Sequence, residues 1–443
     1  MSRSPARILG AVFQGGGNLE LILPVLAELA ARGHSLRVMV GPGIRRSRLP
    51  ASPGLHRRLA QAGAEVVALS EPAAHPLDSA PSARALFGGW APGAFRGASA
   101  EARTWLWAPA WAEGVAMELR RAPADLVVAD FMLPGALAAA EAAGVPGVAL
   151  AHTVPIRPAP GVPPYGPGWL PPAGALGALR DLLGQAALER IWRRDGLPAL
   201  NMARTALRLP PLRGAFDQLD RVARVLVLAG AAFDFPARRG ADAPANLRHV
   251  GTPLGDDIAG AAPAWTPPWP LSDDRRLVLI SLSTLAQGQE GLMRRCLSAV
   301  GMLEGVQALV TLGPALDLAR FRAPPNARLE RFVPHAAVLP KASAAVTQCG
   351  LGTVAKALAH GVPLVCLPLL GDQPENAARV VARGAGLRLS GDVPPGRIAE
   401  ALRRVLVEPE FRAGAARLGA SLSEEGHPAT RAADEIDAVL SSL

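Results

Sequence analysis

The segment Val346-Thr-Gln-Cys-Gly-Leu-Gly-Thr-Val-Ala-Lys-Ala-Leu-Ala-His-Gly-Val-Pro363 and its continuation Leu367-Pro-Leu-Leu-Gly-Asp-Gln-Pro-Glu-Asn376 decide how this 443-residue chain is read. An apolar run ends at Thr347, a turn with Gly350 and Gly352 follows, and Thr353 opens an Ala- and Leu-rich helical stretch. Glycines directly after a strand let backbone approach a ligand closely, and the N-terminus of the next helix favours an anion. A second apolar run ends at Pro368 and puts Asp372 and Gln373 on the neighbouring strand-end loop. A carboxylate beside an amide can hydrogen-bond several hydroxyls, as a sugar requires. The plainer alternative is a glycine turn and a helix cap. These residues alone leave both open.

Working outward, short apolar runs alternate with longer helical patterns, which signals α/β architecture with parallel sheets. In the first half, strands are predicted at Arg7–Phe13, Ser35–Gly41, Glu65–Ser70, Asp125–Ala129, Gly147–His152 and Arg224–Leu228. An amphipathic helix over Leu19–Ala31 lies between the first two and is ended by Gly33. In the second half, strands are predicted at Leu277–Leu282, Gln307–Leu312, Ala344–Thr347, Pro363–Leu367 and Leu387–Leu389, with helices at Gln289–Met302 and Asn376–Arg383. The proline-dense stretch Ala261-Ala-Pro-Ala-Trp-Thr-Pro-Pro-Trp-Pro270 separates the halves as a semi-rigid linker. Two doubly wound domains joined there face each other across a cleft, and ligands bind outside the carboxyl ends of such strands.

Composition narrows the function. Half the residues are apolar and 19% are charged, so the chain can bury full cores. No stretch approaches the roughly 20 apolar residues of a membrane helix, and the first residues lack a signal peptide's apolar region. Cys296, Cys349 and Cys366 have no metal-site spacing, so neither a metal nor a disulfide framework is expected. A reducing cytoplasm fits. The formal charge of +9 invites a nucleic-acid partner, but 44 of the 46 basic residues are arginines scattered singly or in pairs. One tyrosine and ten phenylalanines offer little for base stacking, so nucleic acid is rejected.

A further irregular zone, Pro155–Pro172, holds eight prolines and the only tyrosine, Tyr165. Just upstream, Trp105, Trp107 and Trp111 cluster on a helix candidate. Their rings suit either core packing or the wall of an acceptor pocket.

The glycine-turn segment resembles the donor-site signature of GT-B-fold, nucleotide-sugar-dependent glycosyltransferases, especially bacterial enzymes that decorate macrolides and other natural products. The family pattern is a His-x-Gly-x-Gly-Thr turn, an Ala-Leu helix, Gly-Val-Pro, then Asp-Gln-x-x-Asn-Ala. The likeness extends to Ile280-Ser-Leu-Ser-Thr284, Arg331-Phe-Val-Pro-His335 and Ala31-Arg-Gly-His34, and so covers nearly the whole chain. It implies two facing Rossmann-like domains: an acceptor-binding domain at 1–250, a nucleotide-sugar domain at 251–420, and a C-terminal helical segment at 421–443 that packs back on the first. It further implies an inverting displacement without a metal or resident cofactor, on a TDP- or UDP-linked sugar, with a small, largely apolar acceptor as the other substrate. It leaves a homodimer open.

Carried over by position, the resemblance has Phe332 stack on the base and the Val333 backbone read its edge. Ser283 and Thr284 hold phosphate, Gln348, Gly350, Gly352 and Thr353 hold the pyrophosphate, and Asp372 and Gln373 bind the sugar. Trp105, Trp107 and Tyr165 are the expected acceptor wall. Three positions depart from the pattern. Gln348 stands for the pyrophosphate-contacting histidine, and Lys356 for a glutamate that often contacts ribose. Most consequentially, counting back from Gly33-His34 puts Asn18 where the family has its catalytic histidine, although Asp130 matches that histidine's aspartate. An asparagine amide cannot serve as a general base, though it suits a helix N-cap before Leu19. His152, ending its strand, or Asp130 itself could supply the base, or an acidic acceptor could do without one. A catalytically weakened partner or nucleotide-sugar-binding protein of the same fold is the alternative function.

Overall fold

The structure, a computed structural model, describes residues 5–13, 17–41, 55–69, 95–236, 244–254, 265–269, 275–282, 288–313 and 316–443. Two all-parallel sheets organise these residues. The first has seven strands in the order β3-β2-β1-β4-β5-β6-β7: β1 is Arg7–Phe13, β2 Ser35–Gly41, β3 Ala64–Ala68, β4 Leu126–Asp130, β5 Gly147–Ala151, β6 Arg224–Val227 and β7 Leu247–His249. The second has six in the order β10-β9-β8-β11-β12-β13: β8 is Arg276–Ser281, β9 Val306–Thr311, β10 Ala327–Glu330, β11 Ala344–Thr347, β12 Leu364–Cys366 and β13 Gly386–Arg388. Every strand pairing is parallel. Each sheet reverses its strand order beside its first strand, so the switch points lie between β1 and β4 and between β8 and β11.

The central strands are apolar on both faces because helices cover both sides of a parallel sheet. Every residue of β4 and β5 is buried, and so is every residue of β9 and β11. This two-sided burial made those strands legible as continuous apolar runs. Strands β7 and β10 escaped prediction because they are edge strands of three and four residues, carry Arg248 and Arg328, and are only partly buried. Of the predicted linker, residues 265–269 are described. Trp265 and Trp269 pack on the main core, and the Lys341 ammonium lies over the Trp265 ring.

The chain crosses back at its end. Helix Pro409–Glu424 packs on helix Leu351–Ala359 of the second sheet's domain, while helix Pro428–Ser441 lies against helix Asn18–Ala31 of the first. Buried Asp437 is the anchor: it takes Arg32 at 2.8 Å and His34 Nε2 at 2.9 Å. Arg32 also reaches Glu28 and Asp434, and Glu435 meets Arg224 at 3.0 Å. Among the described residues no helix is long and apolar enough to cross a membrane.

Removing one partner of a buried ion pair leaves the other charge uncompensated, at a cost of about 3–5 kcal/mol. Because Arg32 retains some solvent, Asp437→Ala should lose about 3 kcal/mol in urea unfolding. An unchanged unfolding midpoint would show that the last helix is not held through Asp437.

Candidate active site

Strands β1, β4 and β5 lie side by side, so their carboxyl ends deliver Phe13, Asp130 and His152 to one place at the switch point. Asp130 is fully buried, and its Oδ1 accepts the Met132 N–H at 2.9 Å. Its Oδ2 is shared: Asn18 Nδ2 donates to it at 3.1 Å, and His152 Nδ1 stands 3.0 Å away, close enough for a charge contact though not aligned as a hydrogen bond. Asn18 also donates to the Phe13 carbonyl at 3.3 Å, and its buried Oδ1 has no partner. The N-cap expected of Asn18 is therefore corrected. Gly17 is the N-cap, Asn18 is the first helical residue, and its side chain turns inward to Asp130 because a buried carboxylate needs the donor.

His152 sits between Phe13 and Phe131, edge-on at 6.2 and 5.1 Å between ring centres. Burial pulls its pKa down, but the charges of Asp130, Asp372 and Glu101 outweigh that and leave the imidazole pKa raised. Asp372 belongs to the other domain. The two strand-end loops thus meet across the cleft.

On that opposite side, β11 ends at Thr347 and the chain turns through Cys349, which holds a left-handed φ of 70°. Gly350 is the N-cap of helix Leu351–Ala359, so the helix opens two residues before Thr353. Neither Gly350 nor Gly352 has a positive φ, and a Cβ at Gly352 would meet only Leu21 of the first domain, at 3.5 Å. Neither glycine is therefore required by the backbone turn itself. Gln348 is buried beside them. Asn376 ties the two donor loops together, donating from Nδ2 to the Cys349 carbonyl at 2.9 Å and to Asp372 Oδ2 at 2.8 Å. Gln373 Oε1 accepts the Leu369 and Leu370 N–H groups at 2.8 and 3.1 Å, which fixes the loop before helix Gln373–Ala382. Burial pushes the Asp372 carboxyl pKa up.

Phe332, in the loop after β10, is 77% exposed while Val333 beside it is buried. So exposed a ring takes no part in the core. Ser283 and Thr284 lie outside the described residues. The expected acceptor wall is corrected in part. Trp105 packs edge-on against Trp192 at 4.8 Å within the first domain's core, and Trp107 is equally buried. Broad apolar rings following a short helix were better spent on packing. Tyr165 is also buried, with its hydroxyl committed to Glu101 Oε1 at 3.0 Å.

Glu101 is the residue that sequence reasoning missed. It lies on helix Arg96–Ala102, and burial together with the Asp372 charge pushes its carboxyl pKa to about 8. Nothing in Ala100-Glu-Ala102 distinguishes it from a solvated helix glutamate; only the fold brings it to the cleft. Asp234, Glu375 and Arg379 escaped notice too. Arg379, 2% exposed, donates to Asp234 Oδ1 at 2.7 and 2.9 Å and to Glu375 Oε2 at 3.1 Å, joining the domains.

Known proteins fit this geometry. Residues 298–437 match the family model for the C-terminal domain of erythromycin biosynthesis protein CIII-like proteins. The 4'-demethylrebeccamycin synthase of Lentzea aerocolonigenes is 32% identical over 421 residues, spanning 93% of this chain and 94% of that one. The glycosyltransferase of kitacinnamycin superposes with a TM-score of 0.70 at 21% identity, covering 98% of both chains. A spinosyn rhamnosyltransferase solved with thymidine diphosphate gives 0.63 at 18% identity, over 96% of this chain and 98% of that one, and has also been solved with spinosyn aglycone. From near-complete coverage by a relative above 30% identity, on this two-sheet frame, it follows that the chain belongs to the GT-B-fold natural-product glycosyltransferases.

Proposed function

We propose that this glycosyltransferase moves a sugar from a TDP- or UDP-linked donor to a small, largely apolar natural-product acceptor, with inversion at the anomeric carbon. The observation that carries the mechanism is the contact of His152 with Asp130 at the strand ends facing Asp372. The neutral imidazole with its proton on Nδ1, the nitrogen 3.0 Å from Asp130, leaves Nε2 to accept a proton. The acceptor's oxygen or nitrogen attacks the anomeric carbon, the bond to the diphosphate breaks, and the diphosphate leaves with the electron pair. The acceptor's proton passes to His152, and Asp130 stabilises the imidazolium that results. Asn18 cannot take that proton, but its amide donates to Asp130 and holds that carboxylate in place.

Donor binding falls to the second domain in this reading. The uncapped N–H groups at the start of helix Leu351–Ala359 meet the pyrophosphate, whose charge the helix end favours. Phe332 stacks on the base, Val333 reads its edge, and Asp372 with Gln373 contacts the sugar. No resident cofactor or metal is invoked. A structural neighbour solved with thymidine diphosphate and with an aglycone supports a nucleotide-linked donor and a small-molecule acceptor as the substrate pair.

Three outcomes follow. His152→Ala should lower turnover by about 10²–10⁴-fold. Because the base must be neutral and its pKa is raised, wild-type turnover should fall as pH drops through that raised value, and the variant should lose this acid limb. Full activity of His152→Ala on a phenol, with the limb unchanged, would reassign proton removal to the acceptor's own acidity.

Phe332→Ala should weaken thymidine diphosphate or uridine diphosphate binding in calorimetry by about 1–3 kcal/mol, the usual worth of one stacked base. Its exposure means that stability should move by no more than about 0.5 kcal/mol. Unchanged affinity would move the base elsewhere.

Gly352→Ala should show opposite signs. Alanine favours a helix by about 1 kcal/mol over glycine, and the protein leaves room for the methyl group, so the melting temperature should hold or rise. Nucleotide affinity should fall severalfold. A variant that binds as well as wild type would remove the pyrophosphate from this turn.

A further inference from the structure

The proline-rich segment 155–172 is anchored in the first domain but bonded at its tip to the second. Its base is held by Gln185, whose Nε2 donates to the Ala159 and Val162 carbonyls at 2.9 and 3.0 Å. Its tip delivers the Gly166 and Gly168 N–H groups to a single oxygen, Glu375 Oε1, at 2.8 and 2.7 Å. The Gly168 carbonyl accepts from Arg388. Gly168 has a φ of 62°, and a Cβ there would sit 2.2 Å from the Pro374 carbonyl oxygen, so backbone lies directly on backbone. Between the two glycine contacts and the loop's base, Tyr165 reaches Glu101 in the first domain. Glu375 and Pro374 belong to the helix whose start carries Asp372 and Gln373.

We propose that Glu375 is a positioning residue that couples the two substrates: by gripping Gly166 and Gly168 it seats the 155–172 loop over the acceptor side only when the Asp372–Gln373 turn is in its donor-binding place. This inference rests on the glycosyl-transfer reading above. Glu375 never touches a reacting atom. It acts through the loop, and its second oxygen is tied to Arg379, so the grip is fixed to the domain interface. Loss of the grip leaves the donor pocket intact, frees Tyr165 and Glu101 to shift, and opens the sugar to water.

The test uses the full chain with TDP-glucose or UDP-glucose as donor and 2-naphthol as acceptor. Hydrogen exchange at Gly166–Trp169 is followed in parallel. Glu375→Ala removes the grip, and Gly168→Ala pushes the loop off Pro374 without touching Arg379, so a folding failure in the first leaves the second to decide. In either variant the acceptor KM should rise at least about tenfold, the value of one of the two charge-assisted hydrogen bonds in the grip. Exchange at the loop should quicken, more donor should be hydrolysed per transfer, and thymidine diphosphate affinity should stay within about twofold. Glu375→Gln, which keeps an acceptor oxygen, should restore much of the acceptor KM. Faster exchange with unchanged acceptor KM and hydrolysis overturns the coupling and leaves the grip structural. Loss of nucleotide affinity in step with the acceptor effect overturns it as well. A wild type that protects these amides yet transfers no sugar overturns the glycosyl-transfer reading, and the coupling with it.

Discussion

A buried guanidinium sits at the centre of the junction between the domains. Arg379, on the helix that begins at Gln373, points into the other domain and finds Asp234 beyond the end of β6. It is stacked over the Phe235 ring at 4.4 Å and held on its own helix by Glu375. Asp234 is in turn bonded to His249 at 3.0 Å, and its backbone carbonyl accepts from Arg383 at 2.6 Å. Burial alone would raise the Asp234 pKa, yet Arg379 and His249 hold it below the usual carboxylate range. Buried charges pay a heavy desolvation cost, and only a fully partnered network offsets it. The two domains therefore have one well-defined way to meet here, and the rest of the cleft depends on it.

The candidate site draws on both domains. The first domain offers Asp130, His152 and Glu101; the second offers Asp372 from across the gap. Three carboxylates and one imidazole share a poorly solvated space: burial and the Asp372 charge raise Glu101, burial raises Asp372, and the nearby carboxylates raise His152 against its burial. Glu101 holds its proton to about pH 8 and His152 keeps its own above the ordinary imidazole value. The seating of the two domains and the charge state of this cluster are thus one electrostatic problem.

Much of this was legible from the chain, in proportion to how local each signal is. The runs Leu126-Val-Val-Ala-Asp130 and Val346-Thr347 disclosed buried parallel strands because two-sided burial leaves an uninterrupted apolar record. Strand ends could then be assigned, and with them Asp130, His152 and Asp372. Phe332 stood out through its family motif, and its exposure agrees with a stacking surface. Side-chain direction was less legible. Asn18 read first as a helix cap with a site role left open, and only the position of Asp130 decides which way it turns. Trp105 and Tyr165 could not be divided between core and pocket because aromatic rings suit both. Glu101, Asp234 and Arg379 gave no local signal at all. They are single charges in ordinary surroundings, and their meaning comes from partners more than sixty residues away in sequence.

The most direct measurement is a crystal structure of the chain with a non-hydrolysable TDP- or UDP-sugar bound. The account requires the base on the Phe332 ring, the pyrophosphate on the N–H groups that open helix Leu351–Ala359, and the sugar beside Asp372 with its anomeric carbon facing His152 Nε2 across room for an acceptor. A nucleotide seated against the first sheet, or an anomeric carbon turned away from His152, would contradict it.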